Sequence, residues 1–265
     1  TPCGTLFPYT TLFRSKAGHC AFEHQAVVEG DEIEMDDLVF KVVETPGHTP
    51  EHISYVTVDG ERGSEPVAVF CGDTLFVGDV GRPDLFPGRT QELAQKLHEN
   101  LRNKLLKLPD FCEVYPAHGA GSLCGRAMGA KRTSTIGYER KYNYALQFDD
   151  RQEFVKALTD DMPAAPDHFG VCTRINVEGP TLTSELPAPE PMPPLEFQER
   201  ARREDTVVLD VRSYGTFGGQ HVPGSQHIYF RGNFPTFAGW ILPYDKDILL
   251  VADDMAPVDE VCTWL

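Results

Sequence analysis

At residues 71–84 the chain reads Cys71-Gly72-Asp73-Thr74-Leu75-Phe76-Val77-Gly78-Asp79-Val80-Gly81-Arg82-Pro83-Asp84. This stretch directly follows an apolar run at residues 67–70, which predicts a strand that ends at a Gly-Asp pair. The carboxylate of Asp73 is therefore expected where the strand passes into a loop.

Two further motifs place imidazoles in equivalent positions. Thr45-Pro46-Gly47-His48-Thr49-Pro50 ends a strand predicted over residues 33–45, and Tyr115-Pro116-Ala117-His118 ends a short strand predicted over residues 113–115. Imidazole nitrogens and carboxylate oxygens are ligands that suit iron and zinc, and a face of two histidines and one carboxylate is used by non-haem Fe(II) oxygenases. The three motifs together predict a metal site.

These residues resemble the metallo-β-lactamase superfamily, and the stretch from Gly72 to Asp84 is most similar to its persulfide dioxygenase (sulfur dioxygenase) branch. The resemblance covers residues 29–146 and implies an α/β fold, the αββα sandwich, of which this chain would hold the second part. It implies that His48 and Asp73 are two of three protein ligands to one Fe(II), with zinc as the alternative metal. The remaining histidine belongs to an earlier Thr-His-x-His-x-Asp-His signature, which this chain lacks.

The resemblance also implies roles for other residues. His118 would stand near the iron and donate an N–H to a ligand or to the substrate, whereas other members of the superfamily use this position for a second metal. Arg82 would grip a glutathione carboxylate through a bidentate contact, and Asp84 would support Arg82 or its loop. Cys124 is expected either to pack within its loop or to touch a thiol substrate. His52 is expected to have only a structural role.

Between these motifs the hydrophobic pattern predicts further elements. Strict alternation predicts a strand over residues 53–58, and leucines at i, i+4 spacing predict a helix over residues 90–106 with Thr90 as its N-cap. A second helix is predicted over residues 135–148.

The organisation of the chain is predicted in four parts. Residues 5–15 match the translation of a common sequencing adaptor, so residues 1–15 are expected not to belong to the native protein, which would begin further upstream. Residues 16–175 form the partial metallo-β-lactamase-like domain. Prolines make residues 176–194 an extended linker. Residues 195–265 resemble a partial, α/β rhodanese-like domain.

The rhodanese-like part lacks the nucleophile of an active rhodanese. After the predicted strand at residues 248–251, where that cysteine is expected, the loop reads Ala252-Asp253-Asp254-Met255-Ala256. Cys262 lies further on, in a predicted helix. Two aspartates in this loop would also repel a thiolate, so the module is predicted to be non-catalytic.

Composition limits the partners and the location. Twenty-four basic and forty acidic residues give a net charge of -16, which argues against nucleic acid and anionic membrane partners. No apolar run reaches the roughly 20 residues that span a bilayer, and a cytoplasmic protein is expected. The seven cysteines contain no C-x-x-C pair, so neither a disulfide framework nor a zinc knuckle is predicted. The sequence leaves open whether the chain forms a homo-oligomer.

Three functions follow from these observations. The leading prediction is that the complete protein oxidises a small thiol persulfide, such as glutathione persulfide, to sulfite with O2 and Fe(II), in sulfide detoxification. The first alternative is a thioester hydrolase of the glyoxalase II kind, which would hold two metals. The second is an inactive fragment, because one metal ligand is missing.

Overall fold

The computed structural model describes most of the chain, in these ranges: 13–120, 122, 124–125, 130–160, 162–166, 168–182, 185, 188–254 and 258–265. The described residues form two compact units, one ending at Gly179 and the other beginning at Pro180. The boundary lies inside the predicted linker, although a helix at Phe169–Glu178 continues into its first residues. Each unit has its own hydrophobic core.

The first unit is built on a six-stranded sheet. Its strands follow one another in chain order, and all neighbours are antiparallel except the parallel pair at Pro66–Gly72 and Glu113–Pro116. The strands are β3 (Glu32–Met35), β4 (Leu38–Glu44), β5 (Ile53–Asp59), β6 (Pro66–Gly72), β7 (Glu113–Pro116) and β8 (Ser134–Thr135). A separate parallel pair joins β1 (Phe13–Ser15) to β2 (Gln25–Val27). Residues 1–12, which include residues 5–12 of the adaptor-like segment, lie outside the described residues.

The strand predicted over residues 33–45 is in fact a hairpin. Met35 pairs with Leu38 across a two-residue turn, and Asp36 adopts the left-handed conformation with φ 51°. Aspartate tolerates this conformation better than most residues, so the Asp36-Asp37 pair was the overlooked turn signal. The strand predicted over residues 53–58 is confirmed as β5.

Four helices of this unit are α1 (Thr90–Asn103), α2 (Ile136–Tyr142), α3 (Arg151–Thr159) and α4 (Phe169–Glu178). Thr90 is the first residue of α1 and not its N-cap, which is Arg89. The helix predicted over residues 135–148 is too long. It ends at Tyr142 because the Asn143 side chain turns inward and donates to the carbonyls of Phe76 and Asp79.

The core of this unit lies between one face of the sheet and α1. Val56, Val69 and Val114 occupy the same face in neighbouring strands, and all three are buried. Leu97 and Leu101 form part of the apolar stripe of α1 and belong to the same cluster. This packing holds the ends of β4, β6 and β7, and so the loops that follow them.

The second unit contains a three-stranded parallel sheet. Its central strand is β9 (Thr206–Asp210), flanked by β10 (Gln226–His227) and β11 (Asp247–Val251). Helices surround it: α5 (Pro194–Arg200), α6 (Tyr214–Gly219), α7 (Phe234–Ile241) and α8 (Val258–Trp264). The strands predicted on either side of the rhodanese-like motif are present. The rhodanese-like assignment itself stays a prediction.

In this unit the predicted absence of a loop cysteine concerns residues 252–256, of which residues 255 and 256 lie outside the described part. Cys262 is a free thiol on α8. Elsewhere Cys172 is disulfide-bonded, which the cysteine pattern did not suggest. Among the described residues, every helix is too short or too polar to span a membrane.

Candidate metal centre

His48 is presented by the loop that follows β4. Its side chain is buried, and Nδ1 lies 2.8 Å from the carbonyl oxygen of Arg82. Because a carbonyl only accepts, Nδ1 carries a proton and donates it, so Nε2 is the ring nitrogen that could ligate a metal ion. Nε2 lies 3.9 Å from Oδ1 of Asp73. The Arg82 carbonyl thus orients His48 for ligation, as outer partners of metal-binding histidines do.

Asp73 follows β6 directly. Its Oδ1 atom is buried and makes no hydrogen bond to the described residues, although Nε2 of His118 lies 3.2 Å away outside hydrogen-bond geometry. Burial of Asp73 raises its pKa, but the imidazoles of His48 and His118 lower it more, so the pKa ends well below its usual range. Asp73 is therefore an ionised carboxylate with two imidazoles beside one of its oxygens.

His52 contacts the backbone of Asp73 and two threonine hydroxyls. Its Nε2 accepts the backbone N–H of Asp73 at 3.0 Å, and its Nδ1 lies within 3.0 Å of the hydroxyls of Thr45 and Thr74. Burial lowers the pKa of His52 to about 4, so the ring is neutral at pH 7. The structural role predicted for His52 is what the contacts show, but the sequence contained no sign that it touches Asp73.

His118 and Cys124 complete the cluster. The pKa of His118 is raised to about 10, first by its contact with Asp73 and then by its contact with Cys124. The ligand atoms of His48, Asp73 and Cys124 lie within 4.8 Å of one another. Cys124 was expected either to pack within its loop or to touch a thiol substrate, and its thiol lies at the candidate metal centre.

The guanidinium of Arg82 is bound within the chain. The side chain is 4% exposed, Nε donates to Asp84 at 2.6 Å, and Nη2 donates to Asp84 at 2.7 Å and to the Pro163 carbonyl at 2.6 Å. The support of Arg82 by Asp84 agrees with these contacts, whereas the grip of Arg82 on a glutathione carboxylate stays a prediction. The main chain of Arg82 contacts His48 through its carbonyl.

Two glycines allow the loops to approach. A Cβ on Gly81 would collide with the carbonyl oxygen of Asp73, and a Cβ on Gly72 would lie 2.6 Å from Nε2 of His52. Gly72 also has φ 51°, a conformation that favours glycine. Close packing around Asp73 therefore requires glycine both at Gly72, which precedes it, and at Gly81, which lies against its carbonyl.

The donor set fits a metal ion. The imidazole of His48, the carboxylate of Asp73 and the thiol of Cys124 supply nitrogen, oxygen and sulfur ligands that suit iron or zinc. The buried Oδ1 of Asp73, which accepts no hydrogen bond from the described residues, is the atom that a bound cation would satisfy. Within the described part of the chain, His48, Asp73 and Cys124 are the one group of three such residues. The cluster therefore has the character of a site for a single ion.

Comparisons with known proteins agree with this class of α/β metal-site protein. The family model described as metallo-beta-lactamase superfamily matches residues 24–118. A solved structure titled metallo-beta-lactamase from Staphylococcus aureus is 34% identical, with TM-score 0.74, covering 91% of this chain and 67% of that one. The structure of ETHE1 from Myxococcus xanthus is 29% identical, with TM-score 0.51, covering 63% and 64%.

Curated relatives match a shorter segment. Hydroxyacylglutathione hydrolase from Idiomarina loihiensis is 40% identical over 94 residues, which are 36% of this chain and 31% of the relative. The enzyme of the same name from Cupriavidus taiwanensis is 43% identical over 96 residues, 36% and 32% respectively. The chain thus matches about a third of the length of these relatives. The chain belongs to the metallo-β-lactamase superfamily.

Proposed function

We propose that this chain is part of an Fe(II)-dependent persulfide dioxygenase, which oxidises a small thiol persulfide to sulfite. The overall reaction is RSSH + O2 + H2O giving RSH, sulfite and two protons. The observation that carries the proposal is the convergence of His48, the ionised Asp73 and one further donor on a site for a single ion. The similarity to ETHE1 along 63% of the chain supports it.

A bound Fe(II) would supply open coordination positions at which the persulfide sulfur and O2 meet. The protein's part is to hold the ligands in place. Arg82 orients His48 through its carbonyl, and His52 holds the backbone of Asp73. His118, whose Nε2 lies 3.2 Å from Oδ1 of Asp73, would donate an N–H to a metal ligand or to the substrate.

The second candidate is a hydroxyacylglutathione thioester hydrolase, favoured by the curated relatives of that name. Such an enzyme would hold two metal ions with a bridging hydroxide. The single three-residue ligand group in the described part of the chain favours one ion, and so the dioxygenase. Glutathione is the thiol that both candidates share.

Metal content and turnover separate the two functions. We would purify the 265-residue chain anaerobically, reconstitute it with iron or zinc, and count metal per chain. One iron per chain, with O2 uptake and sulfite formation from glutathione persulfide, is the expected result. Two zinc ions and hydrolysis of a hydroxyacylglutathione would favour the hydrolase. Metal binding without either activity would support the inactive reading of this chain.

A further inference from the structure

We infer that the thiol of Cys124 is a protein ligand of the metal ion, alongside His48 and Asp73. The inference rests on the metal centre of the proposed function, but on neither iron nor dioxygenation. The site would thereby gain a sulfur donor beside its imidazole and carboxylate donors.

The geometry carries this assignment. The Cys124 sulfur lies within 4.8 Å of the ligand atoms of both His48 and Asp73. A metal ion bound about 2.3 Å from a thiolate and about 2.0 Å from an imidazole nitrogen at a tetrahedral angle holds these two atoms about 3.5 Å apart, so metal binding would draw the donors together. Oδ1 of Asp73 is buried and accepts no hydrogen bond from the described residues.

The residue that orients His48 also contacts the backbone of Cys124. The backbone N–H of Arg82 donates to the Cys124 carbonyl at 3.0 Å, while the carbonyl of Arg82 accepts from Nδ1 of His48 at 2.8 Å. One residue therefore joins the segments that carry two of the three donors. The guanidinium of Arg82 is itself anchored by Asp84.

Cys71, in the same unit, is a cysteine with a packing role and serves as a comparison for Cys124. It is fully buried, its thiol donates to the Leu75 carbonyl at 3.0 Å, and burial raises its pKa to about 12. Cys124 is instead partly exposed, and its thiol contacts the imidazole of His118. Its side chain is therefore less enclosed than that of Cys71.

Cobalt(II) is the probe that reports sulfur ligation directly. We would titrate the full chain anaerobically with Co(II), without added thiol, and record the near-ultraviolet thiolate-to-metal charge-transfer band. The wild type is expected to show this band at one equivalent. Cys124→Ser is expected to lose the band and to bind Co(II) at least about tenfold more weakly. Cys20→Ser, a partly exposed cysteine whose thiol donates to the Asn176 carbonyl, is the matched control and should keep both.

A second measurement needs no variant. Alkylation of the wild type, followed by mass spectrometry, should show that Co(II) protects Cys124 and leaves Cys20 reactive. Cobalt bound without the sulfur band, a band that survives in Cys124→Ser, or equal alkylation of Cys124 with and without Co(II) would overturn the inference. A sulfur-ligated cobalt site in a chain that neither oxidises persulfide nor hydrolyses thioester would uphold it while refuting the proposed function.

Discussion

At the scale of single residues, the neutral ring of His52 accepts a hydrogen bond from the backbone of the ionised Asp73. Its Nε2 accepts the N–H of Asp73, so a proton on that nitrogen would oppose the amide hydrogen. Burial, together with the nearby His48, keeps the pKa at about 4 despite the attraction of Asp73. A cation bound at Asp73 would lower the pKa in the same direction. The contact to Asp73 thus requires the uncharged ring.

This arrangement predicts a pH-dependent stability. Between pH 6.5 and about 4 the unfolded chain protonates His52 while the folded chain does not, so stability falls as pH falls through this window. Across this window the free energy of unfolding falls by up to about 3 kcal/mol. His52→Gln, which does not titrate, should lose less stability than the wild type between pH 7 and pH 4 in denaturant unfolding. Parallel pH curves for the two proteins would contradict the assignment.

At the scale of elements, the loop that carries His48 is pressed against α1. A Cβ on Gly47 would lie 2.5 Å from Cβ and 2.7 Å from Cα of Leu97. Since the backbone of α1 cannot rotate away, Gly47→Ala should cost about 1–3 kcal/mol and weaken metal binding. Gly170→Ala is the control, because no heavy atom lies within 4 Å of its Cβ position in α4. Chemical denaturation that finds equal stability for both variants would refute the close contact.

Helix α2 secures the loop after Asp73 through a buried carboxylate. Oε2 of Glu139 accepts from the Gly78 N–H and from the Asn143 amide, both at 2.8 Å. Glu139→Ala removes the acceptor of the Gly78 N–H, whereas the Asn143 amide keeps its bonds to the carbonyls of Phe76 and Asp79, so we expect a loss of about 1–3 kcal/mol. Glu139→Gln retains an acceptor oxygen and should lose less. Thermal unfolding of both variants tests this, and an alanine variant as stable as the wild type would show that the contact is dispensable.

At the scale of the whole molecule, the candidate ligands all lie in the unit that ends at Gly179. The unit that begins at Pro180 has a separate core around Leu209 and Phe234. Metal binding should therefore slow amide hydrogen exchange in peptides before Gly179, most of all near His48 and Asp73. Peptides of β9 and β11 should exchange at unchanged rates. Protection spread evenly over both units would contradict this division.

Local chemistry was sufficient to predict much of the first unit. Alternation identified β5, leucine spacing identified α1, and glycine or proline next to His48, Asp73 and His118 placed these residues at strand ends. Such signals work because they depend on neighbours in the chain. The same reasoning missed the hairpin at Asp36 because the alternation continues on both sides of a two-residue turn.

The details of the centre depend on contacts between distant segments. The approach of Cys124 to His48, and the contact of the Arg82 side chain with Pro163, join residues that are far apart in the chain. A sequence motif specifies which groups are available, but hydrogen bonds and close packing across the loops choose their directions. Ligand chemistry could therefore be predicted from the chain, whereas the orientation of His48, the support of Asp73 by His52 and the approach of the Cys124 thiol required the folded structure.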